Sequence, residues 1–168
     1  MSNENLPEPW LRGTLGDVNP VIRAVLHALE LAEEDLWKWC YPLTVEQLNR
    51  PVSSAAPVAF HLRHIARSLD RLLTYAEGSP LSEIQLAALR AEHEPADSHE
   101  DLFSELSQAL KRSHKRLRAF EGVDFAAIRV VGKKQSSTTV AGLMVHIADH
   151  TQRHVGQAIS TAKMAASR

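Results

Sequence analysis

One cysteine in 168 residues, Cys40, has no partner for an internal disulfide, so the fold must be held by its core rather than by cross-links. Neither charge sign is in excess. The 19 Lys and Arg are interspersed with 20 Asp and Glu, giving a formal net charge of −1. That balance provides no basic footprint for nucleic acid or an anionic membrane, and neither is expected as a partner. No apolar run approaches the ~20 residues of a membrane span. The opening "MSNENLPEPW" has no basic segment and no apolar segment of the kind a signal peptide needs, so a cytoplasmic location is expected. Seven glycines and eight prolines without a period exclude collagen-like and low-complexity chains.

Hydrophobic residues make up 44%, enough for one globular domain with a real core. A single domain over residues 1–168 is expected, with about residues 1–16 as an N-terminal extension. Nine histidines stand out, about twice an ordinary share.

Four long segments carry helical periodicity. In "DVNPVIRAVLHALELAEEDLWKW", Asn19 can cap and Pro20 suits the first helical position. Val21, Val25, Ala28, Leu29, Ala32 and Leu36 then recur at three and four. The second segment is "APVAFHLRHIARSLDRLLTYAEG", with Leu62, Ile65, Leu69, Leu72, Leu73 and Ala76 on one side and Gly78 as the stop. A loop with a short helix from about Ser82 to Ala91 follows, ended by Pro95. The third helix opens at Ser98 in "SHED" and runs to Gly122. "IRVVGKKQSSTTV" reads as irregular or as a short hairpin around Gly132. Ser137 or Thr138 can cap the last helix, from about Thr139 to Ala165. Four long helices and no substantial sheet indicate an all-α fold, a four-helix bundle.

The last helix contains "HIADHTQRHVGQ", with His146, His150 and His154 four apart. With Leu143 set at zero and about 100° per residue, Ile147 falls near +40°, His150 near −20° and His154 near +20°. His146 falls near −60°, at the stripe's edge. Two imidazoles on the seam need partners, because burying them bare costs a few kcal/mol. Histidines at i and i+4 can chelate one ion, and a third ligand would come from another helix. Helix two offers His61 and His64 in "FHLRHIA". Its phase favours His61, near −40° from Ile65, over His64, near −100°. Two familiar metal templates fail. A zincin HExxH needs Glu after the first His, where Ile147 and Thr151 stand, and a di-iron bundle needs carboxylates on the stripe. His27, His93, His99 and His114 have no spaced partner and read as solvated or singly hydrogen-bonded. Trp37, Trp39 and Tyr41 read as core aromatics. Lys111, Arg112, Lys115, Arg116 and Arg118 read as a solvated face.

"VHIADHTQRHVGQAISTAK" on the last helix, with "HLRHIARSLDRLL" on the second, resembles the DinB-like (DinB/YfiT) superfamily over most of the chain. The resemblance implies an up-down-down-up four-helix bundle, which the long link from helix two to helix three permits. It implies one divalent metal ion, zinc or nickel foremost, held by three histidines. One opens an "HIA"-like turn on helix two and matches His64. The others lie four apart on the last helix and match His150 and His154, with Gly156 and Gln157 completing the pattern. His61 and His146 are extra by this alignment.

Three neutral imidazoles leave an ion its full charge and an open position, which suits activation of a thiol or water. Characterised members of the superfamily include thiol-dependent S-transferases and an isomerase. The resemblance therefore implies a metal-dependent transfer of a low-molecular-weight thiol to a small electrophile. The alternatives are a non-catalytic bundle stapled by its metal and a metal-dependent hydrolase. No general acid or base is evident in the sequence, and no catalytic residue is assigned. The expected partner is a small-molecule substrate, and members of the superfamily often pair as homodimers.

Overall fold

The computed structural model describes residues 6–167; residues 1–5 of the N-terminal extension and Arg168 lie outside the described residues. The described part of the extension makes a 3-10 turn, Pro9–Leu11, fastened to the first helix by a bidentate Arg12–Glu34 ion pair. Helix α1 spans Pro20–Trp39, with the Asn19 side chain accepting from the Val21 N–H and Pro20 in the first turn. A short helix, α2 (Val45–Asn49), opens on a reciprocal capping box between Thr44 and Gln47. Helix α3 is Val58–Ala76 and α4 is Glu83–Arg90, the latter capped by Ser82 and Gln85. Helix α5 is His99–Arg118, β1 is Ile128–Val131, β2 is Ser136–Thr139 and α6 is Val140–Ala166.

The chain is thus mostly helical, with one antiparallel hairpin in which Ile128 faces Thr139 and Val131 faces Ser136. Gly132 takes φ +70° at its turn, and Gly78 takes φ +82° just past α3, both left-handed positions that favour glycine. The hairpin corrects the expected cap of the last helix. The ladder runs on through Ser137 and Thr138 to Thr139, so α6 begins only at Val140, and Thr139, the last residue of β2, caps it by accepting from the Gly142 N–H at 3.0 Å. Helix α5 also ends earlier than expected, at Arg118, with turn residues leading to Gly122 at φ +76°. Helix α2 was not expected at all; five residues are too few to show a period.

Helix α6 packs against α1 and α3, while α5 packs against α3 and α1. The core between them is built from Ile22, Leu26 and Leu29 of α1, Leu62, Ile65 and Leu69 of α3, Leu106 and Leu110 of α5, and Leu143 and Ile147 of α6. Two features of the expected stripes shift. On α1 the buried line runs through Ile22 and Leu26, leaving Val21 exposed. On α6 Met144, Thr151 and Val155 are buried as well, which moves the stripe's centre toward them and puts His150 and His154 at its border, half-buried. The aromatics at the end of α1 divide: Trp37 packs on the core beside Phe103, whereas Trp39 and Tyr41 are exposed. Arg116 departs from the solvated basic face, bridging to Asp70 and Glu77 at the end of α3.

Candidate metal centre

The border position of the α6 histidines turns them toward α3, and the contacts there run in opposite order along the two helices. His61 meets His154, with Nδ1 to Nδ1 at 3.0 Å, and His64 meets His150, with Nε2 to Nε2 at 3.3 Å. The two helices are therefore antiparallel where the rings meet. His64 also approaches His154, with tilted rings whose centroids are 4.3 Å apart, and the His150 and His154 centroids are 4.7 Å apart. His64, His150 and His154 form a group whose ligand-capable atoms all lie within 4.8 Å of one another. His61 stands outside that group, almost fully buried, and reaches it only through His154. That burial agrees with its helical phase. His64 lies far from the core seam of α3, but the segment after α4 folds back over it.

That segment brings in the group the sequence did not announce. Glu92 is buried, 3% exposed, and its Oε2 accepts from His64 Nδ1 at 2.6 Å while Oε1 accepts from Arg71 Nη1 at 2.6 Å. Burial alone would raise the Glu92 carboxyl, but the hydrogen bonds from His64 and Arg71 and their charge outweigh it and hold it below the ordinary value. Arg71, itself buried, lies seven residues after His64 and so on the same side of α3. An arginine seven residues, or two turns, after a histidine is the one trace of this arrangement in the sequence. Glu92 sits in a one-turn 3-10 helix, Ala91–His93, that follows α4 and is too short to show a period. Phe60 closes the other side, stacked on His64 with centroids 5.4 Å apart and on exposed His93 at 4.4 Å.

The donor set suits a divalent cation. With Nδ1–H of His64 given to Glu92, its Nε2 lone pair faces His150. This carboxylate–histidine arrangement is the one that fixes the ring and tautomer of metal-bound histidines. Two nitrogens at ~2.0–2.1 Å from a tetrahedral ion stand about 3.3–3.4 Å apart, matching the His64–His150 separation. Only one Nδ1 of the His61–His154 pair can carry the proton. On His154 it leaves that ring's Nε2 as a lone pair and makes His61 the acceptor. Burial first, and then the neighbouring His64, push His61, His150 and His154 down to about 4, so these three are neutral near pH 7. His150 Nδ1 is buried and makes no hydrogen bond among the described residues.

The remaining histidines stay apart. His146 is exposed and pairs with Asp149 at 3.1 Å on its own helix. His27 is buried against Thr14 Oγ1 at 3.0 Å, and His99 Nε2 donates to the Tyr41 carbonyl at 2.8 Å. A cleft of about 630 Å³ opens beside His61 and His154, between α6 and the turn that precedes α3. No described helix is long and apolar enough to cross a membrane.

A family model described as the DinB superfamily matches residues 28–158, which include His64, Glu92, His150 and His154. No curated protein and no solved structure matches the chain.

Proposed function

Because the chain belongs to the DinB superfamily and gathers three imidazoles at ligand spacing, we propose that it is a metal-dependent enzyme transferring a small thiol to an electrophile. His64, His150 and His154 hold one divalent ion, and an all-imidazole set suits zinc or nickel. The observation that carries this reading is the His64–Glu92–Arg71 chain behind the cluster, since a buried carboxylate aiming a ring at two further rings is an expensive arrangement for a merely structural histidine.

A divalent ion held by His64, His150 and His154 would supply Lewis-acid chemistry, making a nearby thiol or water easier to deprotonate. The protein's own part is placement. Glu92 orients His64, His61 orients His154, and Phe60 covers the rings from one side. In the transfer, sulfur bonds to the electrophilic carbon, the leaving group departs with its electron pair, and the thiol proton passes to solvent. The choice of thiol over water follows the superfamily's characterised members. The family's up-down-down-up helix order is supported by the pairwise contacts. Arg67 meets Glu105 and Glu77 meets Arg116, a parallel order for α3 and α5. Ala28 meets Gln152 and Trp39 meets Lys163, a parallel order for α1 and α6.

One observation favours a second reading. The rings come from two helices, so an ion between them would also staple α3 to α6. The experiment that separates the two begins with elemental analysis, where one ion per chain is expected, lost in His64→Ala, His150→Ala and His154→Ala. Metal-loaded protein is then incubated with a panel of thiols and a chromogenic electrophile, with His150→Ala as control. Thiol-dependent turnover that the variant lacks supports the transferase. No turnover, with a large drop in melting temperature on chelation, supports the staple, and turnover without thiol supports a hydrolase. Metal retained in His64→Ala and lost in His61→Ala would overturn the ligand set.

A further inference from the structure

The cleft beside the histidines has a floor that packing does not require. Gly156 lies inside the 27-residue α6, where glycine weakens a helix relative to alanine, and it lines the cleft next to His154. A Cβ built on Gly156 meets nothing within 4 Å, so the fold has room for a side chain there. Gly142 of the same helix shows the opposite case: its Cβ would stand 2.6 Å from Thr138 Oγ1, so the capped first turn itself demands glycine. One turn beyond Gly156, Ser160 folds its hydroxyl back onto the Gly156 carbonyl at 2.9 Å, which keeps that position low as well. The facing wall is equally low, formed by Ala55 and Ala56. Almost fully buried His61 lines the same space, and while its Nδ1 is on His154, its Nε2 bonds to no described residue.

We infer that this cleft receives the non-reacting body of the ligand whose reacting atom lies at the histidine cluster, and that Gly156 is the specificity-determining residue that admits it. The inference rests on the metal-centre reading above. Its volume, about 630 Å³, is that of a small-molecule site rather than of a water or a two-carbon thiol. The ligand class is an elongated, partly apolar molecule. It passes over the exposed backbone of α6 at Gly156, with Phe60 and Met164 as apolar contacts and Gln157 as a polar one.

The test compares 2-mercaptoethanol with 6-mercapto-1-hexanol, which differ by four methylenes, in calorimetric titrations of zinc-loaded and zinc-free protein. The longer thiol is expected to bind the zinc-loaded chain tighter by about tenfold or more, from the added apolar contact. Gly156→Leu raises a side chain from the floor of the cleft into the ligand's path and is expected to remove that preference while zinc content stays unchanged. Gly156→Ala is expected to raise the melting temperature by about 2–4 °C, since only helix propensity changes. Equal affinities for the two thiols, no binding of the longer one, or a preference that survives Gly156→Leu would overturn the assignment. So would a fall in melting temperature in Gly156→Ala, which would mean that the fold itself needs the glycine. A chain that takes up no zinc yet keeps a Gly156-dependent preference refutes the metal centre and not the cleft. A zinc-loaded chain without the preference refutes the cleft alone.

Discussion

Glu92→Gln isolates the carboxylate behind the cluster with almost no change of shape. The native carboxylate accepts from His64 and from Arg71 at 2.6 Å each, one oxygen apiece. The amide keeps one acceptor oxygen, so it can serve His64 or Arg71 but turns an NH₂ toward the other donor. One charge-assisted hydrogen bond is lost and one buried donor is stranded, at a cost of about 1–3 kcal/mol to the metal-free fold. For a chain of this size that is a fall in melting temperature of about 2–4 °C per kcal/mol. Loss of an orienting carboxylate lowers metal affinity by about 10–100-fold, equivalent to about 1.4–2.8 kcal/mol. The assay is competition for zinc against a chromogenic chelator, beside thermal unfolding of the chelated protein. Glu92→Gln should still bind one ion per chain, only more weakly. Arg71→Met breaks the same ion pair but leaves Glu92 to His64, so it should lower stability with a much smaller effect on affinity. Unchanged zinc affinity in a folded Glu92→Gln protein would refute the orienting role. Complete loss of zinc would refute it in the other direction, by making Glu92 a ligand.

The remaining predictions concern protons, the lone thiol and a helix end. In the metal-free protein His61, His150 and His154 sit near 4, against 6.5 for an unperturbed histidine, so the unfolded chain binds more protons between those values. Stability should therefore be full above about pH 6.5 and fall as the pH drops toward 4; a urea midpoint that stays constant from pH 7.5 to pH 5 in the presence of chelator would contradict this. Cys40 is fully buried and burial pushes its thiol up to about 12, so it should resist a disulfide-exchange reagent at pH 8 in native protein and react only after denaturation. Prompt titration of the thiol in folded protein would refute its burial. Thr139→Ala removes the cap bond to Gly142 and should cost about 1 kcal/mol, read as a shift in the denaturant midpoint, whereas Ser137→Ala should change it little.

Much of the frame is local and was legible along the chain. Asn19 with Pro20 starts α1, Gly78 ends α3, Ser82 and Ser98 start α4 and α5, and each acts through bonds made within one turn of its own position. The i, i+4 spacing likewise put His150 and His154 side by side on α6 before any partner was known. The third ring was harder to place. Helical phase pointed to His61, and phase did describe burial, because His61 is the more buried of the two. Phase is measured from a core seam, however, and this cluster lies off the seam, in the groove where α6 borders α3. Which ring joins it depends on what covers the far flank of α3, and that is the returning segment with Glu92. A contact between residues 28 apart, one of them on a single 3-10 turn, leaves no mark in a sequence. Only the packed helices decide that Glu92 meets His64, that Arg71 neutralises it, and that a cleft stays open above Gly156. The sequence by itself determined the helices and the chemistry they carry, because capping and periodicity are short-range. The tertiary structure decided the company each histidine keeps, because that is set by which surfaces exclude water together.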